Sequence, residues 1–313
     1  MKYSDRDKKA LRCLTSRDRD WVSEQKFPLI HKIVCGLSPK LLRDELSKDP
    51  NAIYATDIKG RTALDWATAR AQLDHMKLLI AFGANPNSMD ITGRTTILHA
   101  VDSRNAETLR IVLAAGANPE PQIPAGLFRG NPLTSANLNG LASMVDLLIR
   151  FGANLESVNP EGLTALHSTA ISQNRDCASI LLARGADMDR MTSTGCTPLM
   201  TAIIHNSHDV LRLFLAKRTD CLNGSQLLPV IAEYADSETM MILASHPFSP
   251  LNNGCLPADC AILFSRSGYD DLLSHAFDRL IYAERCKDCN PPQLTTTMFT
   301  ISGPEEEWAD LLA

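Results

Sequence analysis

Apolar and polar positions along this chain recur in blocks. Gly162 to Asp189, GLTALHSTAISQNRDCASILLARGADMD, shows the block most fully. It opens on a glycine turn and Thr-x-Leu-His, runs through two short segments with apolar residues at helical spacing, and closes on Gly-Ala-Asp. Shifting the frame by about 33 residues reproduces the pattern in both directions. The opening residues are Thr62, Thr95, Asn131, Thr164 and Thr197, and the later turn falls at Gly83, Gly116, Gly152, Gly185 and Arg218. The two positions are 21 apart in every case. Within a block, residues such as Leu64, Ala67, Leu78 and Leu79 make one apolar face that only a neighbouring block can bury. The pattern therefore predicts an all-α solenoid of paired helices.

The ends of these helices have a physical reading. A threonine before an apolar run can accept from the unpaired N–H groups of the first turn. A glycine after the second helix enters the left-handed conformation that other residues adopt at a cost. Between Gly116 and Asn131 the connection is three residues longer and holds Pro119, Pro121, Pro124 and Gly126, which lengthens one loop without shifting the helix phase.

Outside the clear blocks the pattern thins. Residues 1–26 mix Lys8, Lys9, Arg12, Arg17 and Arg19 with Asp5, Asp7, Asp18 and Asp20, and read as a charged arm or leading helix carrying Leu11, Leu14, Trp21 and Val22. The array is placed at 27–220, with a divergent first repeat (FPLIHKIV, then Leu41, Leu42, Leu46) followed by five clear ones. An atypical first repeat suits an end with no neighbour to cover it. Residues 221–289 read as a divergent repeat and a C-terminal helical cap. Residues 290–313, with Pro291-Pro292 and Gly303-Pro304, read as a disordered acidic tail.

The quoted motifs identify a family resemblance. Thr197-Pro198-Leu199 and Thr164-Ala165-Leu166-His167 at the helix starts, with Gly83-Ala84-Asn85, Gly116-Ala117-Asn118, Gly152-Ala153-Asn154 and Gly185-Ala186-Asp187 at the turns, resemble an ankyrin-repeat array over residues 27–220. FPLIHKIV and GRTALDWATAR are also similar to uncharacterised fungal ankyrin-repeat proteins. The resemblance implies that His167 bridges helix start and turn. It further implies that recognition uses the hairpin fingers and the exposed side of the first helix of each pair.

Composition narrows the function. A net charge of −5 and a pI near 5.9 argue against direct nucleic-acid binding. No apolar run reaches the roughly 18 residues a membrane span needs, and the start lacks the apolar stretch of a secretory signal. Nine scattered cysteines read as reduced thiols of a cytoplasmic or nuclear protein. No phosphate-binding glycine loop, nucleophile elbow or His-Glu-x-x-His is present. Cys286 and Cys289 form a lone C-x-x-C, short of the four ligands zinc takes. The expectation is a non-enzyme with no catalytic residues, metal or cofactor.

The candidate site follows from the family's recognition positions. Lys59, Arg61, Arg70 and Arg94 would give the groove a basic start. Phe128, Leu138, Leu163, Ile171 and Ile204 would continue it as an apolar stretch, with Glu161 and His205 beside them. Trp308, in the acidic Glu305–Leu312 segment EEEWADLL, adds an amphipathic docking candidate. The function expected is a monomeric adaptor or scaffold binding a protein partner. The alternative is a transcription coregulator, of a fungal secondary-metabolite gene cluster, whose tail recruits machinery.

Overall fold

The computed structural model describes residues 26–122, 131–159 and 161–218. Within 227–245 it describes 227, 230–231 and 233–245. Phe128, Trp308, Cys286 and Cys289 lie outside the described residues, as does most of residues 221–313. The described residues divide into two compact units, one through Pro198 and one from Leu199.

The first unit is built from helix pairs: α1 (Leu29–Val34) with α2 (Leu42–Lys48), α3 (Ala63–Ala69) with α4 (Leu73–Ala81), α5 (Thr96–Asp102) with α6 (Ala106–Ala114), α7 (Pro132–Leu138) with α8 (Ala142–Arg150), and α9 (Ala165–Ile171) with α10 (Arg175–Ala183). First helices stack on first helices from α1 to α9, and second helices on second helices from α4 to α10. Two-turn helices of seven residues are unstable alone in water. Their stability comes from the layer between neighbours, where Leu64, Ala67, Leu79, Leu133, Leu148, Leu166 and Leu181 are buried. The second unit holds α11 (Pro198–Ile204), α12 (His208–Lys217) and α13 (Ser237–Ser245), with Val210, Leu211 and Phe214 in its core. Among the described residues the only β pairing is two isolated bridges, Thr56 with Thr62 and Met89 with Thr95.

The helix starts follow the capping expectation in part. Thr62 and Asp65 form a reciprocal box at α3, Thr164 and His167 do the same at α9, and Asn131 accepts the Thr134 N–H at 2.7 Å. Thr95 makes no side-chain cap, and Leu98 stands where Asp65 and His167 complete the reciprocal box at α3 and α9. At the other end of the pairs, Gly83, Gly116, Gly152 and Gly185 all take positive φ.

Two side-chain columns the sequence did not announce secure the turns. Asn85, Asn118, Asn154 and Asp187 each accept the N–H two residues on, at 2.8 to 3.0 Å. The residue in that second position then reaches into the next repeat. Asn87 accepts from Asn118 N–H at 2.7 Å, Glu120 from Asn154 N–H at 3.1 Å, and Glu156 from Asp187 N–H at 2.9 Å. Three successive joints are thus each tied by a side-chain acceptor on a main-chain amide.

Candidate interaction face

Among the described residues four fingers close on the same pair of backbone bonds. In the first clear one, Asp57 N–H donates to the Arg61 carbonyl at 3.0 Å and Gly60 N–H to the Asp57 carbonyl at 2.9 Å. The same two bonds recur in 90–94, 159–163 and 192–196. The residue that opens the loop gathers its amides. Asp57 accepts from Lys59 and Arg61 N–H, Asp90 from Thr92 and Arg94, Asn159 from Glu161 and Leu163, and the Thr192 hydroxyl from Cys196. Neighbouring fingers also touch: Ile91 N–H donates to the Lys59 carbonyl at 2.9 Å, and the Ser193 hydroxyl to the Glu161 carbonyl at 2.9 Å.

This geometry overturns the basic start of the groove. Arg61 is fully buried, with Nε and Nη2 each 2.8 Å from Asp57 Oδ2 and its guanidinium 4.4 Å over the Trp66 ring. Trp66 Nε1 donates to the same carboxylate at 3.0 Å, and His31 Nε2 donates to the Arg61 carbonyl at 2.9 Å. Phe27 completes the cluster, edge-on to Trp66 and stacked on His31. Arg94 is 8% exposed and paired with Asp102. Arg61 folds under the finger onto the loop's first residue, Asp57, while Arg94 is neutralised by Asp102 at the end of α5. The readable signal was the acid four residues upstream, Asp57 before Arg61. Lys59 and Arg70 are half-buried.

The apolar stretch is partly assembled. Leu138 is 43% exposed, and Ile171 and Leu163 are half-buried. Leu138 and Ile171 hold the same register position in successive repeats, on the packed helices α7 and α9. Ser172, beside Ile171, donates to the Asn137 carbonyl at 2.9 Å and locks the two repeats at this point. Glu161 is exposed at the finger above. Ile204, half-buried, and His205, exposed, belong to the second unit. A further row of finger residues includes Ile58 and Ile91, at the family's recognition positions, and three that sequence reasoning passed over. Ile58, Met89, Ile91, Val158 and Met191 are 38% to 68% exposed.

The chemically versatile side chains nearby serve the fold. His167 Nε2 donates to the Cys196 carbonyl at 3.0 Å, which leaves Nδ1 to accept from Thr164 N–H at 3.2 Å. Burial holds this imidazole below the usual histidine range. The Cys35 and Cys177 thiols are buried and pushed up by desolvation, to about 12 and about 11, so neither is a nucleophile at neutral pH. Among the described residues no group of three or more His, Cys, Asp or Glu could hold a metal ion, and no helix is long and apolar enough to cross a membrane.

Asp65 carries a pH consequence. It is buried between Thr62 and Thr96, whose hydroxyls lie 2.8 and 2.6 Å away, yet desolvation pushes its pKa up to about 6 against the opposing hydrogen bonds. A raised carboxyl pKa means the folded state holds its proton longer than the unfolded chain. The Asp65 contribution to stability therefore declines as pH rises from about 4 through about 6. Denaturant melts across that window should show a shallower decline for Asp65→Asn than for wild type.

The family model described as ankyrin repeats (three copies) matches residues 24–123 and 133–225. The chain belongs to the ankyrin-repeat family. No curated protein matches it. Ankyrin repeats are in general protein–protein interaction modules, and the helix-pair stacking described above is the all-α solenoid of that family.

Proposed function

We propose that this ankyrin-repeat protein is a non-catalytic adaptor or scaffold that binds a protein partner through the concave face of its array. The observation that carries this reading is the pair Leu138 and Ile171, with Leu163 beside them. These apolar side chains stay accessible on adjoining repeats, beside Ser172, which is engaged in the fold. Apolar residues that are contiguous across repeats offer a partner more than scattered ones do. With Arg61 and Arg94 withdrawn from the surface, the partner segment this face suits is apolar rather than acidic. We place the array at residues 27–220, with a helical cap over 221–289, in a monomer of the cytoplasm or nucleus.

The test is partner capture by proximity labelling and pull-down with the full chain, wild type against Leu138→Glu with Ile171→Glu. The double variant should lose about 2 kcal/mol or more of binding, roughly thirtyfold in Kd, with an unchanged melting curve. Undiminished capture would rule out this face. The acidic segment Glu305–Leu312 favours a second reading, transcription coregulation. A reporter driven by that segment fused to a DNA-binding domain decides it: silence ends the reading.

A further inference from the structure

A polar cluster in the second unit lies apart from the groove residues of the first. His208 opens α12, and both of its ring nitrogens face carboxylates from the start of α13. Nε2 is 3.0 Å from each oxygen of Asp236, and Nδ1 is 3.4 Å from Glu238 Oε2. Among the described residues the other charged groups of the cluster are Arg212 and Asp209. Arg212 Nη2 lies 2.8 Å from Glu238 Oε1, and its Nη1 lies 3.5 Å from Asp209. We propose that His208 is a proton-gated clasp, holding α13 against α12 when the imidazole is charged and releasing it when the ring is neutral.

The argument starts from the donor count of the ring. A neutral imidazole has one N–H and one lone pair, so one nitrogen would aim its lone pair at a carboxylate. Only the imidazolium donates in both directions. Charge balance agrees. Three carboxylates, Asp209, Asp236 and Glu238, face two cations when the histidine is protonated and Arg212 alone once it is not. Arg212 keeps its charge throughout, so the switch rests on the histidine. Its side chain is 25% exposed, which gives the proton a path to solvent.

The remaining contacts hold the frame and do not titrate near neutrality. Asn206 accepts from Asp236 N–H at 3.1 Å and from the Thr239 hydroxyl at 2.9 Å, and donates to the Tyr234 carbonyl at 3.1 Å. Asp236 also caps α13 by accepting Thr239 N–H at 2.8 Å. Burial works to raise the Asp236 carboxyl, but the bonds from Thr239 and His208 outweigh it and hold the group below the usual carboxylate range. Its stabilisation is therefore present above the unfolded-state pKa and is lost as pH falls through the lower folded value. The contacts of the ring act the other way, since only the charged imidazole donates to both carboxylates, and the clasp is closed where the ring is charged and Asp236 is ionised.

Hydrogen–deuterium exchange on the full chain, at about pH 6 and about pH 8 and corrected for intrinsic exchange rates, tests this. Peptides covering 237–245 should lose about tenfold in protection between the two conditions. His208→Gln should show the low protection at both values. His208→Arg, planar and permanently charged, should show the high protection at both. Peptides from α3 to α6 serve as the folding reference, and should be the same in all three chains. Wild-type protection that does not change with pH overturns the proposal, as does a His208→Gln chain that keeps the wild-type response.

Discussion

Asp57→Ala is expected to lower the unfolding free energy by about 3 to 5 kcal/mol, the largest single effect in the array. The Asp57 carboxylate accepts from the Lys59 and Arg61 amides, the Arg61 guanidinium and the Trp66 indole. Its removal leaves the Arg61 cation buried at 0% exposure without its counter-charge. The cost is that of the stranded charge and not of the pair itself, because a buried pair repays its desolvation only in part. Denaturant melts followed by circular dichroism measure it. A double variant, Asp57→Leu with Arg61→Met, should recover much of the loss by removing the orphaned cation. If the double variant is as unstable as Asp57→Ala, the amide contacts of the finger and not the ion pair carry the stability.

Gly162→Ala is expected to cost about 3 kcal/mol, against about 1 kcal/mol for Gly195→Ala. Both glycines hold the same place in their fingers with nearly the same backbone, φ +78° and +80°. They differ in what a methyl group would meet. At Gly162 an added Cβ would lie 2.6 Å from the Ser193 backbone nitrogen and 3.3 Å from the Thr192 carbonyl carbon, in the next finger. At Gly195 nothing lies within 4 Å. The first change adds a backbone collision to the left-handed strain, and the second adds the strain alone. Melts of the two variants side by side separate the contributions, and equal losses would show that the fingers move apart freely.

What was legible in the sequence was local. Thr62, Thr164 and Asn131 at helix starts, and Gly83, Gly116, Gly152 and Gly185 after helix ends, act within a turn of their own position, so residue type and spacing reveal them. Of the candidate groove residues, register alone made the accessibility of Leu138 and Ile171 legible. Arg61 and Arg94 were misread as groove cations, because charge type says nothing of direction: one side chain turns back on Asp57 of its own loop and the other pairs with Asp102 of α5. The non-glycine residues Ala71, Arg104, Gln173 and Asn206, at φ +47° to +56° between paired helices, gave no signal either. In the third repeat Gly140 takes that conformation, and only there does the residue type advertise it. The contacts of Asn87, Glu120 and Glu156 were hidden for a different reason. The donor sits about 31 to 34 residues away and the acceptor changes identity from repeat to repeat.

That last column bears on how such a chain can lengthen or shorten over generations. Glu120 and Glu156 meet the same kind of group, a main-chain amide at a fixed place in whichever unit comes next. Glu120 adds one side-chain contact, accepting the Ser157 hydroxyl at 2.6 Å. An unequal crossover that excised residues 131–163 would bring Glu120 to the amide of Asp187 in place of that of Asn154, and Arg190 into the place of Ser157. The main-chain part of the joint is generic while the surface of each module is private, so the array can gain or lose a unit, and with it a patch of binding surface, at the cost of one side-chain contact in the seam.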